Sequence, residues 1–168
     1  MNITPISRRT ALAAIGALGL TGAATAGLTD IEVIIENLAP QNGTWQTPFW
    51  VGFHDGGFDY FNEGEAASTA LERIAEDGNA SFLDSLFGSS GNGSMSGVLG
   101  GGPIAPGGVV SMSFTLDGND PRSRYFSFAS MVIPSNDAFV GNDNPLATQI
   151  FDDNGNFIGG DFFITGAM

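Results

Sequence analysis

Three places along the chain put ligating or acid–base side chains close together. In residues 127–141, an apolar run of strand length (Phe128, Met131, Val132, Ile133) meets Pro134 and then Ser135, Asn136 and Asp137. Proline has no N–H to donate, so a strand ladder ends there. The short polar side chains that follow bond to nearby backbone and order a turn. Such a turn aims the Asp137 carboxylate out of a rigid strand end, where it serves either as an Asx-turn acceptor or as a ligand for a cation. His54 and Asp55, with Asp59 and Glu63, form the second place, where the single histidine meets carboxylates and where a transition metal or acid–base chemistry has its residues. Zinc sites use three or four His, Cys or acid ligands, and no nucleophile-elbow motif is present, so a strand-end His bonding a neighbouring loop is the plainer reading. The third is Asp152-Asp153-Asn154-Gly155-Asn156, whose Asp152, Asn154 and Asn156 have EF-hand spacing. Phe157 stands where that loop needs Gly and Phe163 where it needs a bidentate Glu, which makes this a solvated hairpin turn instead.

The elements that must position these residues follow from periodicity. Ile31, Val33 and Ile35 alternate with Glu32 and Glu36, a half-buried strand. After the turn Pro40-Gln41-Asn42-Gly43, residues 47–54 read as a second strand with Phe49, Val51 and Phe53 on one side. Over residues 65–77 the period changes: Ala67, Ala70, Leu71, Ile74 and Ala75 predict an amphipathic helix with Gly78 as its C-terminal cap, and residues 79–87 a second helical turn. The Gly/Ser-rich stretch 88–102 reads as a mobile loop inside one domain. Residues 109–116 and 125–133 alternate as strands expected to pair as a hairpin, and residues 148–151 and 157–158 flank a tight turn whose Asn-Gly supplies positive φ. One more strand starts at Phe162. Trp45, Trp50, Phe58, Tyr60 and Phe61 cluster around two loops as a candidate platform for a glycan or a partner, with Trp45 and Tyr60 the better candidates for exposure. Gly100-Gly101-Gly102 lacks the Lys or Ser spacing of a phosphate loop.

The N-terminus describes an export signal over residues 1–26. Ser7-Arg8-Arg9-Thr10 matches a twin-arginine n-region, the apolar stretch that follows is too short to span a bilayer, and Ala24 and Ala26 suit a signal peptidase. An ordinary secretory signal leads to the same place outside the cytoplasm. Residues 27–168 are enough for one domain core. They hold three arginines and no lysine against eighteen acids, a formal charge of −15. Such a surface repels nucleic acid and anionic lipid, attracts cations and suits salty water, where screening relieves its self-repulsion. The chain has no cysteine, so stability rests on the core, on ions or on both.

Residues 131–141, Met-Val-Ile-Pro-Ser-Asn-Asp-Ala-Phe-Val-Gly, resemble the signature of the spondin N-terminal domain family, in which a Met-Val-x-Pro-Ser-x-Asp turn leads to an aromatic residue and then Val-Gly. The likeness runs through most of the chain from Ile31 onward. It includes Val33-Ile34-Ile35-Glu36-Asn37-Leu38, the helical segment from Glu65 to Leu83, and Gly102-Pro103-Ile104-Ala105-Pro106-Gly107-Gly108 ahead of a strand. The resemblance implies an antiparallel β-sandwich similar to C2 domains, with calcium held by carboxylates near one end. Asp137 matches the family's turn ligand. The later Asp-Ala-Gly-Thr-Asp/Glu segment that supplies two further acids is missing, so either the chain is a C-terminally truncated member or Asp143, Asp152 or Asp153 substitutes.

The expectation is therefore an all-β fold with a short helical insertion, an antiparallel β-sandwich at residues 27–168 behind the signal. Its expected function is non-enzymatic: a secreted or envelope domain that adheres to a protein or matrix ligand, with calcium ordering its loops, no nucleic-acid partner and no stable membrane span after signal cleavage. The alternatives are a secreted hydrolase or carbohydrate-active protein using the His54/Asp55 loop, and a structural envelope or matrix component.

Overall fold

The alternation of Ile31, Val33 and Ile35 with glutamates yields a strand with one dry and one wet face, and the partner that covers its dry face builds the fold. The computed structural model describes residues 2–4 and 27–163. In chain order the elements are β1 (Asn2–Thr4), β2 (Leu28–Glu36), β3 (Trp45–Gln46), β4 (Phe49–His54), α1 (Thr69–Asp77), α2 (Ser81–Ser90), β5 (Gly93–Leu99), β6 (Val109–Asp117), β7 (Tyr125–Ile133), β8 (Phe139–Gly141) and β9 (Phe162–Phe163). They form two antiparallel sheets, ordered β6-β2-β1-β9 and β3-β7-β4-β5, with β8 added along β7. Apart from β1, the expected export signal lies outside the described residues.

The inner faces of the two sheets make the main core. Ile31, Val33 and Ile35 from β2 with Phe114 and Leu116 from β6 meet Phe49, Val51 and Phe53 from β4 with Phe126 and Phe128 from β7, all buried. Burying each such side chain contributes about 1.5–3 kcal/mol. The β4 run Phe-Trp-Val-Gly-Phe-His is buried at every position, because helices cover its other face too. There Trp50, Phe58, Tyr60, Leu71, Ile74, Leu83 and Phe87 form a second core between the sheet and α1 and α2. The fold is thus an antiparallel β-sandwich with a helical insertion, as the strand and helix periodicities imply.

Four local expectations need correction. The first helix starts at Thr69 rather than Glu65, because the Ser68 side chain accepts the Leu71 N–H (3.2 Å) and caps it there. Its other end is as read, with Gly78 left-handed at φ 63°. The stretch 88–102 is not a loop: α2 runs on to Ser90 and β5 follows, paired along β4. Two of its glycines are packing devices, since a Cβ on Gly93 would strike the Phe87 ring and one on Gly97 would crowd Met112 and Phe114. β6 and β7 do not pair with each other; β6 lies along the whole of β2 while β7 pairs with β3, β4 and β8 in the opposite sheet. The 3₁₀ turn Pro121–Ser123 carries the chain between the two. The turn at 152–156 meets its flanks in the single bridge Phe151↔Phe157. Only Gly155 has positive φ there (75°), and the loop is closed by the Asp152 carboxylate accepting from the Asn154 and Asn156 N–H groups (2.9 and 2.8 Å).

Candidate functional site

The candidate site begins where β7 stops. The Ile133–Pro134 peptide is cis, and the next four residues, Ser135 to Ala138, reverse the chain into β8. Ser135 orders this turn: its hydroxyl donates to the Val132 carbonyl (2.6 Å) and accepts the Ala138 N–H (3.1 Å), while the Val132 N–H donates to the Ala138 carbonyl (2.8 Å). Asp137 stands exposed on the turn, and its carboxylate takes part in no hydrogen bond or ion pair among the described residues. The turn is therefore a Ser-bonded turn rather than an Asx turn, and Asp137 faces solvent as the sequence predicts.

Calcium takes six to eight oxygen ligands, several of them carboxylate. Among the described residues no group of three or more His, Cys, Asp or Glu side chains lies close enough together to hold a metal. Two of the expected substitutes are committed elsewhere. Asp153 pairs with Arg124 at 3.1 Å. Asp152 closes its own turn, where hydrogen bonds, first from the Asn156 side chain, hold its carboxyl below the usual range. Asp143 lies exposed on the segment after β8. The described residues by themselves do not make a calcium cage around Asp137.

Behind the turn lies a polar network that sequence reasoning missed. Asn142, one residue past β8, accepts the Phe128 N–H (3.1 Å) and donates to Ser127 Oγ (2.9 Å) and to the Asn144 carbonyl (3.2 Å). It fastens the chain after β8 against β7. Ser127, fully buried, also bonds His54 Nε2 at 2.8 Å. A serine in the middle of an apolar strand was the available signal, because a buried hydroxyl must find partners.

Gly141 closes the same region from the other side. A Cβ there would land on the Tyr60 hydroxyl, which donates to the Phe128 carbonyl at 2.8 Å. Burial pushes the Tyr60 phenol well above its ordinary range, so it remains a donor. Gly141→Ala is expected to cost about 1–3 kcal/mol by overpacking. Adding Tyr60→Phe should return part of that loss in urea melts; additive losses would show that the two do not share this space.

His54 is fully buried at the end of β4, not displayed on a loop. Its Nδ1 accepts the Gly56 N–H at 3.0 Å, which leaves the neutral ring's proton on Nε2, directed at Ser127. Burial lowers its pKa to about 4, against a small opposing pull from Asp55. A base for Ser127 would need a free lone pair on Nε2, and this tautomer has none. The rest of the expected cluster is not gathered around it. Asp55 is exposed and accepts from the Gly57 N–H (2.8 Å) and Asn92 Nδ2 (3.2 Å), and Asp59 and Glu63 are exposed.

The expected aromatic platform also divides. Trp50, Phe58 and Tyr60 are buried in the second core, Phe61 is half-buried against it, and only Trp45, at 44%, is exposed. The reading of Tyr60 as exposed is corrected, because α1 and the β8 segment enclose it.

A family model described as Spondin_N matches residues 39–148. No curated protein matches the chain. The matched span includes the Asp137 turn, the Asn142 network, His54 and Trp45.

Proposed function

The chain belongs to the spondin N-terminal domain family, and on that premise we propose that it is an exported, non-enzymatic recognition domain that adheres to a protein or matrix ligand at the cell surface. Domains of this family are typically extracellular. The observation that carries the reading is the fate of the groups able to do chemistry. The one histidine is locked neutral in the core and the acids near it in sequence are dispersed, while the family's signature turn is exposed at Pro134 and from Asn136 to Ala138. Each arginine of residues 27–168 is paired with an acid: Arg73 with Asp77 (2.7 Å), Arg122 with Asp120 (2.8 Å) and Arg124 with Asp153 (3.1 Å). The remaining surface is acidic, which favours cations and neutral or basic partners. Among the described residues no helix is long and apolar enough to cross a membrane.

The test is where the protein goes and what it holds to. Fractionation of cells producing the chain should recover it outside the cytoplasm, shortened at its N-terminus and retained on the cell surface or matrix. His54→Gln should leave that retention intact. Cytoplasmic recovery, or retention that depends on His54, would sink the proposal.

Calcium ordering of the turn belongs to the same proposal, with Asp137 as the ligand that β7 and β8 present. Further acids must then come from outside the described cluster. In calorimetry with calcium chloride, binding no tighter than about millimolar is expected for this chain, and Asp137→Asn should abolish it. Heat of binding that survives Asp137→Asn would place the ion elsewhere.

A further inference from the structure

Loop 39–44, at the start of the family match, and loop 104–108, well inside it, line an open hollow of about 350 Å³ bordered by Ala39, Gln41, Asn42, Trp45, Pro106 and Gly107. We propose that it is a binding site for a neutral saccharide, with Trp45 as the stacking platform and the Gln41 and Asn42 amides reading hydroxyl groups. The site rests on the reading of the chain as a recognition domain, and it names a ligand class and residues separate from the Asp137 turn.

Its walls are held in place by a residue outside the lining. Asn37, buried at the end of β2, donates from Nδ2 to the Thr44 carbonyl (2.9 Å) and the Ile104 carbonyl (3.0 Å), and its Oδ1 accepts the Ala39 N–H (3.0 Å). Its backbone N–H donates to the Gly108 carbonyl (3.0 Å) and its carbonyl accepts the Gly107 N–H (2.7 Å). One asparagine thus ties loop 39–44 to loop 104–108. Backbone bonds between Gln46 and Ile104 (3.1 and 2.7 Å) brace the same two loops. A hollow fixed in this way loses little entropy when a ligand enters.

The lining selects the ligand. Its volume lies at the small end of ligand pockets, room for a short saccharide. It contains no ionisable side chain, and the surface of residues 27–168 carries a formal charge of −15, which disfavours sulfated and uronic polymers as well as nucleic acid. Trp45 lines the hollow and is 44% exposed. Gln41 and Asn42 are exposed, and their amides are engaged in no hydrogen bond among the described residues, so the lining carries uncommitted donors and acceptors. Asn42 is also the one non-glycine residue with positive φ (69°) among the described residues, a conformation that asparagine tolerates. Proline-rich peptides are recognised by grooves with several aromatic ridges, whereas this lining holds one aromatic and two amides.

The experiment uses the full chain and its own fluorescence. Of the two tryptophans, Trp50 is fully buried, so emission changes on ligand addition report Trp45. Cellotriose, maltotriose, mannotriose and triacetylchitotriose are titrated singly, with a heparin oligosaccharide and decaproline as comparison ligands. At least one neutral trisaccharide should shift the emission and give saturation transfer to its ring protons by NMR. Trp45→Ala should weaken the transfer about tenfold or more, and Trp45→Tyr, which keeps a stacking face, by less. No response to any neutral trisaccharide, equal response in Trp45→Ala, or a response to decaproline or heparin alone would overturn the assignment. A Trp45→Ala protein that has lost the saccharide yet still adheres to cells would leave the adhesion reading standing, whereas saccharide binding without adhesion would do the reverse.

Discussion

Trp50→Ala is expected to lower the stability of the domain by about 3–5 kcal/mol, a large share of the 5–15 kcal/mol typical of a natural domain. The ring is fully buried between β4 and the helices, with Phe87 at 5.3 Å, Phe58 at 5.7 Å and Tyr60 at 6.3 Å between centroids. Its Nε1–H donates to Asp84 Oδ1 (3.2 Å), and the same oxygen accepts from Ser96 Oγ (2.6 Å), so the Asp84 carboxylate ties α2 to β4 through the indole and to β5 through the serine. Alanine would leave a large cavity that rigid strands and two short helices cannot close. A drop in melting temperature on the order of 10 °C follows for a chain of this size. Trp50→Phe keeps most of the ring contact and should recover well over half of the loss. The helices hold to the sheet mainly through this second core, so near-ultraviolet circular dichroism should fall before the β signal does. A variant with an unchanged urea midpoint would mean that the helical layer contributes little.

The indole's role was only half legible in the sequence. Alternation put Phe49, Val51 and Phe53 on one face of β4, and that held, because period two is a local property of the strand. That Trp50 faces a second core depends on where α1 and α2 lie, and no local pattern states that. The same limit hid β5. Its Gly93 and Gly97 make room for Phe87 on one side and Met112 and Phe114 on the other, so a strand selected for close approach has the composition of a linker. Gly141 is the counterpart inside the recognised motif, where the Val-Gly pair was visible but the Tyr60 hydroxyl that requires it lies far back along the chain.

At the candidate sites the distinction is the same. The Asp137 turn was readable because proline and serine act on their own neighbours, Pro134 by ending the ladder and Ser135 by bonding Val132 and Ala138. Asn37 and Asn142 were not, because their partners lie at separations of 67 and 15 residues. A strand-end asparagine looks like a turn residue until the fold shows which carbonyls it serves. Trp45 and Tyr60 lie in similar sequence surroundings, yet one lines a hollow and the other is enclosed, a difference made by packing alone.

Lowering the pH from about 6.5 to about 4 is expected to remove about 3 kcal/mol of stability through His54 alone. The unfolded chain takes up a proton on this ring near its ordinary value of 6.5, whereas burial holds the folded ring's pKa at about 4. Between those values the unfolded state binds the extra proton, so acid favours unfolding. The contribution is fully present above about pH 6.5 and lost as pH falls toward 4. Protonating Nδ1 would also set an N–H against the Gly56 N–H that now donates to it. Asp120 and Asp152 are held below the usual carboxylate range, Asp120 first by the Arg122 side chain and Asp152 first by Asn156, and their effects fall at lower pH, beneath this window. Urea midpoints at pH 7, 5.5 and 4.5 should therefore decline for the wild type. In His54→Asn, where an amide oxygen can accept the Gly56 N–H without titrating, they should be lower at pH 7 but nearly flat. Parallel decline in both proteins would remove His54 as the cause. The outcome bears on function as well, because a general base at neutral pH has to exchange its proton near pH 7. A histidine that resists protonation to pH 4 and gives its one N–H to a buried serine acts as a structural core residue.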